Sequence, residues 1–196
     1  MQPVSNIKIE EGGLTLGLSE AQVNERVKKA KSIVPNAIGM NNHMGSAATA
    51  DTTLMTYLMT ALHEQHLFFL DSRTIGKSVA GKIAKEQGVR VLDRHIFLDD
   101  SDNLVDVQRQ FQSAIQYARK HGTAIAIGHP RPNTVAVLKA GIKNLPDDIQ
   151  LVGMGSLWRN EKILPPKPFI LLFNDIPAPT SVAPFEPIPL LRGVPR

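Results

Sequence analysis

The stretch Ala37-Ile38-Gly39-Met40-Asn41-Asn42-His43-Met44-Gly45-Ser46 decides the fold class of this chain of 196 residues. A short apolar run ends at Met40, polar side chains follow at once, and a helix start comes next at Thr49-Ala50-Asp51. A second stretch has the same form, with Ala124-Ile125-Ala126-Ile127 before Gly128-His129-Pro130. In parallel α/β proteins the chemistry lies at the carboxyl ends of the strands. We therefore expect the two strand ends to face one pocket.

Helical periodicity and short apolar runs alternate along the rest of the chain. Helices are predicted near residues 19–34, 51–66, 78–87, 104–121 and 133–144, and strands at residues 37–40, 67–70, 89–92, 123–127 and 149–152. Short, wholly apolar strands separated by helices indicate a parallel sheet with helices outside it. The predicted fold class is α/β.

The amino-acid composition argues against several classes of function. The net charge of +4 is scattered and only 5% of residues are aromatic, so a nucleic-acid partner is not favoured. The chain has no cysteine, which excludes disulfides, thiolate metal sites and thiol nucleophiles. No apolar stretch approaches the length of a membrane span, and the first residues lack the form of a signal peptide.

The C-terminal part of the chain differs from the rest. Nine of the 14 prolines lie from Pro165 onward, a spacing that helices and sheet ladders do not tolerate. We predict a folded domain over residues 1–160 and a largely disordered, Pro-rich tail over residues 161–196.

Polar residues follow four of the predicted strands. They are Asn41, Asn42 and His43 after the first, Asp71 and Ser72 after the second, Asp93 and Arg94 after the third, and His129 after the fourth. Two histidines with one or two carboxylates suit a metal site with an open position for water. They suit metal-free general acid–base catalysis equally.

Each of these side chains also has an ordinary structural interpretation. His43 is either a metal ligand or a turn histidine bonded to backbone, and His129 is either an acid or base or a strand cap. Asp71 either orients a histidine or caps the turn before Thr74. Arg94 either binds an anion or pairs with Asp99 or Asp71. Nucleophile-elbow, Walker and dinucleotide glycine patterns are missing from the sequence.

Four motifs in series resemble a known family. Asn41-Asn42-His43-Met44-Gly45-Ser46, Phe69-Leu70-Asp71-Ser72, Phe97-Leu98-Asp99-Asp100 and Ala126-Ile127-Gly128-His129-Pro130 occur in this order. Together they resemble the divergent polysaccharide deacetylase family of bacteria, relatives of the NodB-type carbohydrate esterases. The resemblance covers about residues 1–155 and leaves the Pro-rich tail outside it.

The resemblance implies a distorted (β/α) barrel that hydrolyses N-acetyl groups on sugars with a divalent metal, usually zinc. His43 would then be a metal ligand and His129 the general acid near the substrate. Asp71 would be a supporting catalytic carboxylate. Asn42 and Arg94 would contact the substrate.

The chain departs from the family pattern at its start. The family begins with a strand ending in Asp-Asp and continues to a His-Leu-Pro-Met-x-Pro segment, and here Met1-Gln2-Pro3 matches only the end of that segment. We therefore expect a member that lacks its first strands, the remaining zinc ligands and the base.

Two functions follow as expectations from the resemblance. One is a deacetylase acting on a polysaccharide or peptidoglycan-type glycan in the periplasm, impaired in this truncated form. The other is a non-catalytic envelope protein that retains the fold and binds carbohydrate.

Overall fold

The computed structural model describes residues 1–161. The helices are α1 (Glu20–Ile33), α2 (Thr52–Glu64), α3 (Ala80–Glu86), α4 (Leu104–His121), α5 (Pro132–Lys143) and α6 (Met154–Arg159). The strands are β1 (Gly39–Asn41), β2 (Phe68–Asp71), β3 (Val91–Asp93), β4 (Ile96–Phe97) and β5 (Ala126–Ile127). All five predicted helices and four of the five predicted strands are present, with bounds that differ by at most three residues.

Side-chain caps fix where the helices begin. Ser19 and Gln22 form a capping box at the start of α1, with each side chain bonded to the backbone N–H of the other. The Asp51 side chain accepts the Leu54 N–H at 2.7 Å and so starts α2 directly after the polar turn that follows β1. α4 ends at Gly122, whose φ of 82° lies in the left-handed region typical of a residue that ends a helix.

The strands form two parallel sheets, one of order β1-β2-β3 and one of β4 with β5. Met40, Phe69 and Val91 lie side by side in the first sheet. All three pack on the core that the sheet shares with α1, α2 and α3. Because all strand pairs are parallel, the carboxyl ends of the strands lie at one edge of each sheet.

The opposite face of the first sheet is covered by α6. Phe68 of β2 lies with its ring centroid 5.6 Å from that of Trp158. The same ring lies over Gly39, where an added Cβ would come within 2.4 Å of it. A residue without a side chain is therefore required at this point of β1.

Two strand predictions need correction. Residues 149–152 are not a strand, and Leu151 is 68% exposed, so this apolar run gains neither ladder bonds nor burial. The helix α6 follows it instead. β4 was not predicted, because two residues inside a polar connector carry no periodicity, and it forms through pairing with β5.

The parallel α/β class is confirmed, and closure of the sheets into a barrel stays a prediction. The predicted Pro-rich tail lies outside the described residues, apart from Glu161. None of the helices within residues 1–161 combines the length and the apolar character needed to cross a bilayer.

Candidate functional site

The Asn-Asn-His turn after β1 is built around a buried amide. Asn42 is 1% exposed, and its Oδ1 accepts the Ser72 N–H at 2.7 Å. Its Nδ2 donates to the Met44 carbonyl at 3.1 Å, and its own carbonyl accepts the Ser72 hydroxyl at 2.7 Å. Asn42 thus joins the turn to the end of β2 and leaves His43 exposed. The predicted contact of Asn42 with substrate stays a prediction.

His129, after β5, is held by a buried carboxylate. Its Nδ1 lies 3.0 Å from Oδ1 of Asp99, and its backbone N–H donates to Oδ2 at 2.6 Å. The Thr134 hydroxyl donates to the same Oδ2 at 2.9 Å. The Asp99 side chain is fully buried, whereas that of His129 is 35% exposed. The residue therefore presents one edge of its ring to solvent from a fixed backbone position.

Charge on Asp99 sets the tautomer of His129. Burial raises the pKa of Asp99, but the bonds from the His129 backbone and ring and from Thr134 outweigh it, so this pKa lies below its ordinary value. An ionised carboxylate accepts from Nδ1–H, which leaves Nε2 on the exposed side of the ring. Nε2 is then free to accept a proton or, on the imidazolium, to donate one.

The two predicted histidines meet. The ring centroids of His43 and His129 are 5.9 Å apart, with their planes at 82°. Phe97 at the end of β4 lies on another side of His129, at 5.6 Å between ring centroids. The ends of β1, β4 and β5 therefore present two imidazoles and one aromatic ring together, as the sequence predicts for the histidines.

Asp71 lies at the end of β2 with its side chain turned into the protein. It is 0% exposed, and its Oδ1 and Oδ2 accept from the Arg73 N–H at 2.8 Å and the Ser78 hydroxyl at 2.6 Å. These bonds cap the turn after β2. The carboxylate that orients a histidine is Asp99 rather than Asp71, and a catalytic role for Asp71 stays a prediction.

Arg94, after β3, donates to backbone carbonyls rather than to the carboxylates that were expected. Its Nε donates to the Ser72 carbonyl at 2.6 Å and its Nη2 to the Arg73 carbonyl at 3.1 Å. The predicted ion pair with Asp99 or Asp71 does not form. Burial lowers the pKa of Arg94, and the more distant carboxylates of Asp100 and Asp71 oppose this.

The residues present do not by themselves fit a zinc ion. In the part of the chain that the structure describes, no three metal-ligating side chains converge. His43 and His129 supply two imidazoles, and Asp99 is already bonded to His129. Catalytic zinc sites normally use three protein ligands. A zinc site here would need donors other than residues 1–161.

A cavity of about 230 Å³ borders His43. Its lining combines this side chain and Asn41 with mainly apolar groups from the N-terminal segment, α1, α2 and the first sheet: Met1, Gly12, Gly13, Leu14, Arg26, Val27, Ala30, Met40, Leu58 and Phe69. His129 and Asp99 do not line it. The cavity therefore adjoins one histidine of the pair.

Asp99 and Phe97 are the site residues that sequence reasoning missed. Both lie in the Phe97-Leu98-Asp99-Asp100 motif that contributed to the family resemblance, but Asp99 was considered only as an ion-pair partner of Arg94 and no role was attached to Phe97. The signal was present in the sequence, because a polar pair directly follows a short apolar run, as after the other strands.

The fold and the site together define a parallel α/β protein that brings two histidines to the carboxyl ends of its strands. The family described as divergent polysaccharide deacetylase matches residues 1–158. The chain belongs to this family.

Two curated relatives are similar to the chain. An uncharacterized protein of Haemophilus influenzae strain Rd is 79% identical over all 196 residues, which are 70% of its own length. The uncharacterized protein YibQ of Escherichia coli K12 is 43% identical over 170 residues, 85% of this chain and 53% of that protein. The chain therefore spans about half to two thirds of the length of these relatives.

A solved structure confirms the fold class. The crystal structure of an uncharacterized protein from Agrobacterium tumefaciens C58 superposes with a TM-score of 0.68 at 20% identity, covering 71% of this chain and 57% of that one. At this level of identity the likeness concerns the fold alone.

Proposed function

We propose that this chain supplies the histidine part of a site that removes N-acetyl groups from a polysaccharide or an amino-sugar polymer. The observation that carries the proposal is the exposed edge of His129, held by buried Asp99 and lying 5.9 Å from His43 between ring centroids. Family membership supports the substrate class. Periplasmic localisation, expected from the resemblance, is part of the same proposal.

His129 acts as the general acid. Asp99 holds Nδ1–H and stabilises the imidazolium, so the proton on Nε2 is directed toward the outside of the protein. When water has added to the amide carbonyl, this proton passes to the departing nitrogen, the C–N bond breaks, and acetate and the free amine result. His43, the other imidazole of the pair, is exposed and lies 5.9 Å from His129 between ring centroids.

A divalent metal remains a proposal that depends on further donors. His43 is the candidate ligand on this chain, and zinc is the metal that the resemblance implies. Because residues 1–161 do not complete a ligand set, no step is assigned to the metal.

Acetate release tests the proposed function. Chitooligosaccharides and peptidoglycan fragments are incubated with this chain and, in parallel, with the Haemophilus relative, whose additional length provides further candidate donors. Metal content is measured on both proteins. We expect release by at least the longer protein, and loss of release in His129→Ala and His43→Ala but not in His63→Ala, an exposed histidine on α2.

A non-catalytic envelope protein that binds carbohydrate is the second candidate. It is favoured by the internal bonding of Asn42 and Asp71, whose polar groups join the strand ends to each other instead of facing outward. Metal-free proteins that bind the oligosaccharides without acetate release would support this candidate and contradict the first.

A further inference from the structure

Among residues 1–161, the guanidinium of Arg94 has partners for only some of its hydrogen-bond donors. Two of its N–H groups donate to the Ser72 and Arg73 carbonyls, which fixes the plane of the group. An arginine side chain has five N–H donors, so three remain. A planar guanidinium held in one orientation suits bidentate binding of a carboxylate.

The neighbouring carboxylates do not take these donors. Asp71 is bonded to Arg73 and Ser78, and Asp100, the other carboxylate close enough to raise the pKa of Arg94, is exposed. Within residues 1–161, Arg94 has no carboxylate oxygen within 4.0 Å. Arg73, the other cation here, pairs with Asp93 at 3.2 Å.

An aromatic ring connects Arg94 to the histidine pair. The guanidinium carbon lies 5.0 Å from the ring centroid of Phe97, and this ring lies 5.6 Å from that of His129. Both Arg94 and Phe97 are half-buried. A guanidinium that lies over an apolar ring offers a sugar apolar surface at the part of the ring left exposed, and a partner for an acidic substituent.

We propose that Arg94 and Phe97 form a subsite for a carboxylate-bearing sugar, next to the one that His129 acts on. The inference rests on the proposed function for its glycan class and adds that the preferred glycan is acidic. The carboxylate accepts from the free N–H groups of Arg94 while the sugar ring contacts Phe97.

Binding to two matched probes tests the subsite. One probe is an oligosaccharide of alternating N-acetylglucosamine and N-acetylmuramic acid, and the other is the same molecule with its lactyl carboxylates converted to methyl amides. We expect this chain to bind the acidic probe about tenfold more tightly, the size of one charge-assisted hydrogen bond. The preference should weaken as salt is added.

Variants locate the preference. Arg94→Gln should bind both probes alike, and Arg94→Lys should keep a reduced preference. Arg90→Gln is the matched control, because Arg90 precedes the same strand, β3, and also donates to a backbone carbonyl, that of Trp158. It removes the same charge at the opposite end of the strand and should keep the preference.

The ratio of the dissociation constants for the two probes distinguishes loss of carboxylate recognition from loss of folding. Loss of folding would weaken the binding of both probes together. Equal binding of the two probes by the unsubstituted chain would overturn the inference, as would a preference that survives in Arg94→Gln. This test measures binding only and is independent of the test of acetate release. If acetate is released but the acidic probe is not preferred, only the subsite is rejected. Acid preference without acetate release rejects the deacetylase proposal and retains the subsite.

Discussion

Asp99 bonds to both the ring and the backbone of His129, at 3.0 Å to Nδ1 and 2.6 Å to the backbone N. A single buried carboxylate at the end of β4 therefore fixes the position of the residue after β5 as well as the orientation of its imidazole. Because β4 pairs with β5 only through Ile96–Ala126 and Phe97–Ile127, this carboxylate extends a short ladder beyond its last rung. Folding and site geometry depend on the same side chain.

We predict that Asp99→Asn both destabilises the fold and changes the tautomer of His129. The amide offers one acceptor where the carboxylate serves the His129 N–H, the His129 ring and the Thr134 hydroxyl, so at least one buried donor loses its partner. The expected loss of unfolding free energy is about 1–3 kcal/mol, measured by urea denaturation. The tautomer of His129, followed by NMR, should change because the carboxylate that accepts from Nδ1–H is gone.

Asp148→Asn provides the comparison, since Asp148 is an exposed partner of Arg119. It should change neither unfolding nor the His129 signals. If Asp99→Asn leaves the tautomer of His129 as it was, Asp99 does not orient the imidazole.

Asp71→Ala should destabilise the protein through the turn after β2. The substitution leaves the Arg73 N–H and the Ser78 hydroxyl without acceptors in a site that is 0% exposed, which costs about 1–3 kcal/mol in urea unfolding. Asp71→Asn keeps one acceptor and should cost less. If Asp71→Ala unfolds with the same free energy as the original protein, the carboxylate does not cap the turn, and its predicted catalytic role is the interpretation that remains.

His95 should make stability depend on pH near neutrality. Its Nδ1 accepts the Ile125 N–H at 2.8 Å, so the ring must be neutral there. Burial lowers the pKa of His95, nearby His121 lowers it further and Asp93 opposes both, while Tyr117 stacks on the ring. As the pH falls below about 6.5, the unfolded chain takes up a proton that the folded protein resists, so the unfolding free energy decreases.

The measurement is urea unfolding between about pH 7.5 and about pH 5, a range that spans the ordinary pKa of histidine. His95→Asn retains an acceptor without a proton to gain, and its unfolding free energy should vary less over this range. His63→Gln, on the exposed face of α2, should follow the original protein. An identical pH dependence in His95→Asn would show that the Ile125 bond does not sense protonation.

The sequence predicted those elements whose signals are local. The helices predicted at residues 19–34 and 104–121 begin and end through neighbouring residues, and both are present, one with a capping box at Ser19 and the other ending at Gly122. The strand predicted at residues 149–152 failed for the opposite reason. A strand needs a partner and burial, and Leu151 at 68% exposure has neither.

The site was predictable as far as parallel topology determines it. His43 and His129 were both placed after strands, and they meet although β1 and β5 belong to different sheets. The partner of His129 was not predictable, because Asp71 and Asp99 both follow strands, and the choice of Asp99 depends on tertiary contacts such as those of Gly128 with Leu98 and of Thr134 with Asp99.

Gly39→Ala should destabilise the first sheet, since an added Cβ would lie 2.4 Å from the Phe68 ring, which packs against Trp158 of α6. Neither ring can move without giving up the contact that covers this face, and overpacking of this kind costs about 1–3 kcal/mol in unfolding free energy. Gly81→Ala in α3 is the control, because a Cβ there meets nothing within 4 Å and alanine favours the helix. In urea denaturation the first variant should unfold earlier and the second no earlier than the original protein. Equal midpoints for both would show that Phe68 repacks freely and that Gly39 does not set the approach of β1 to β2.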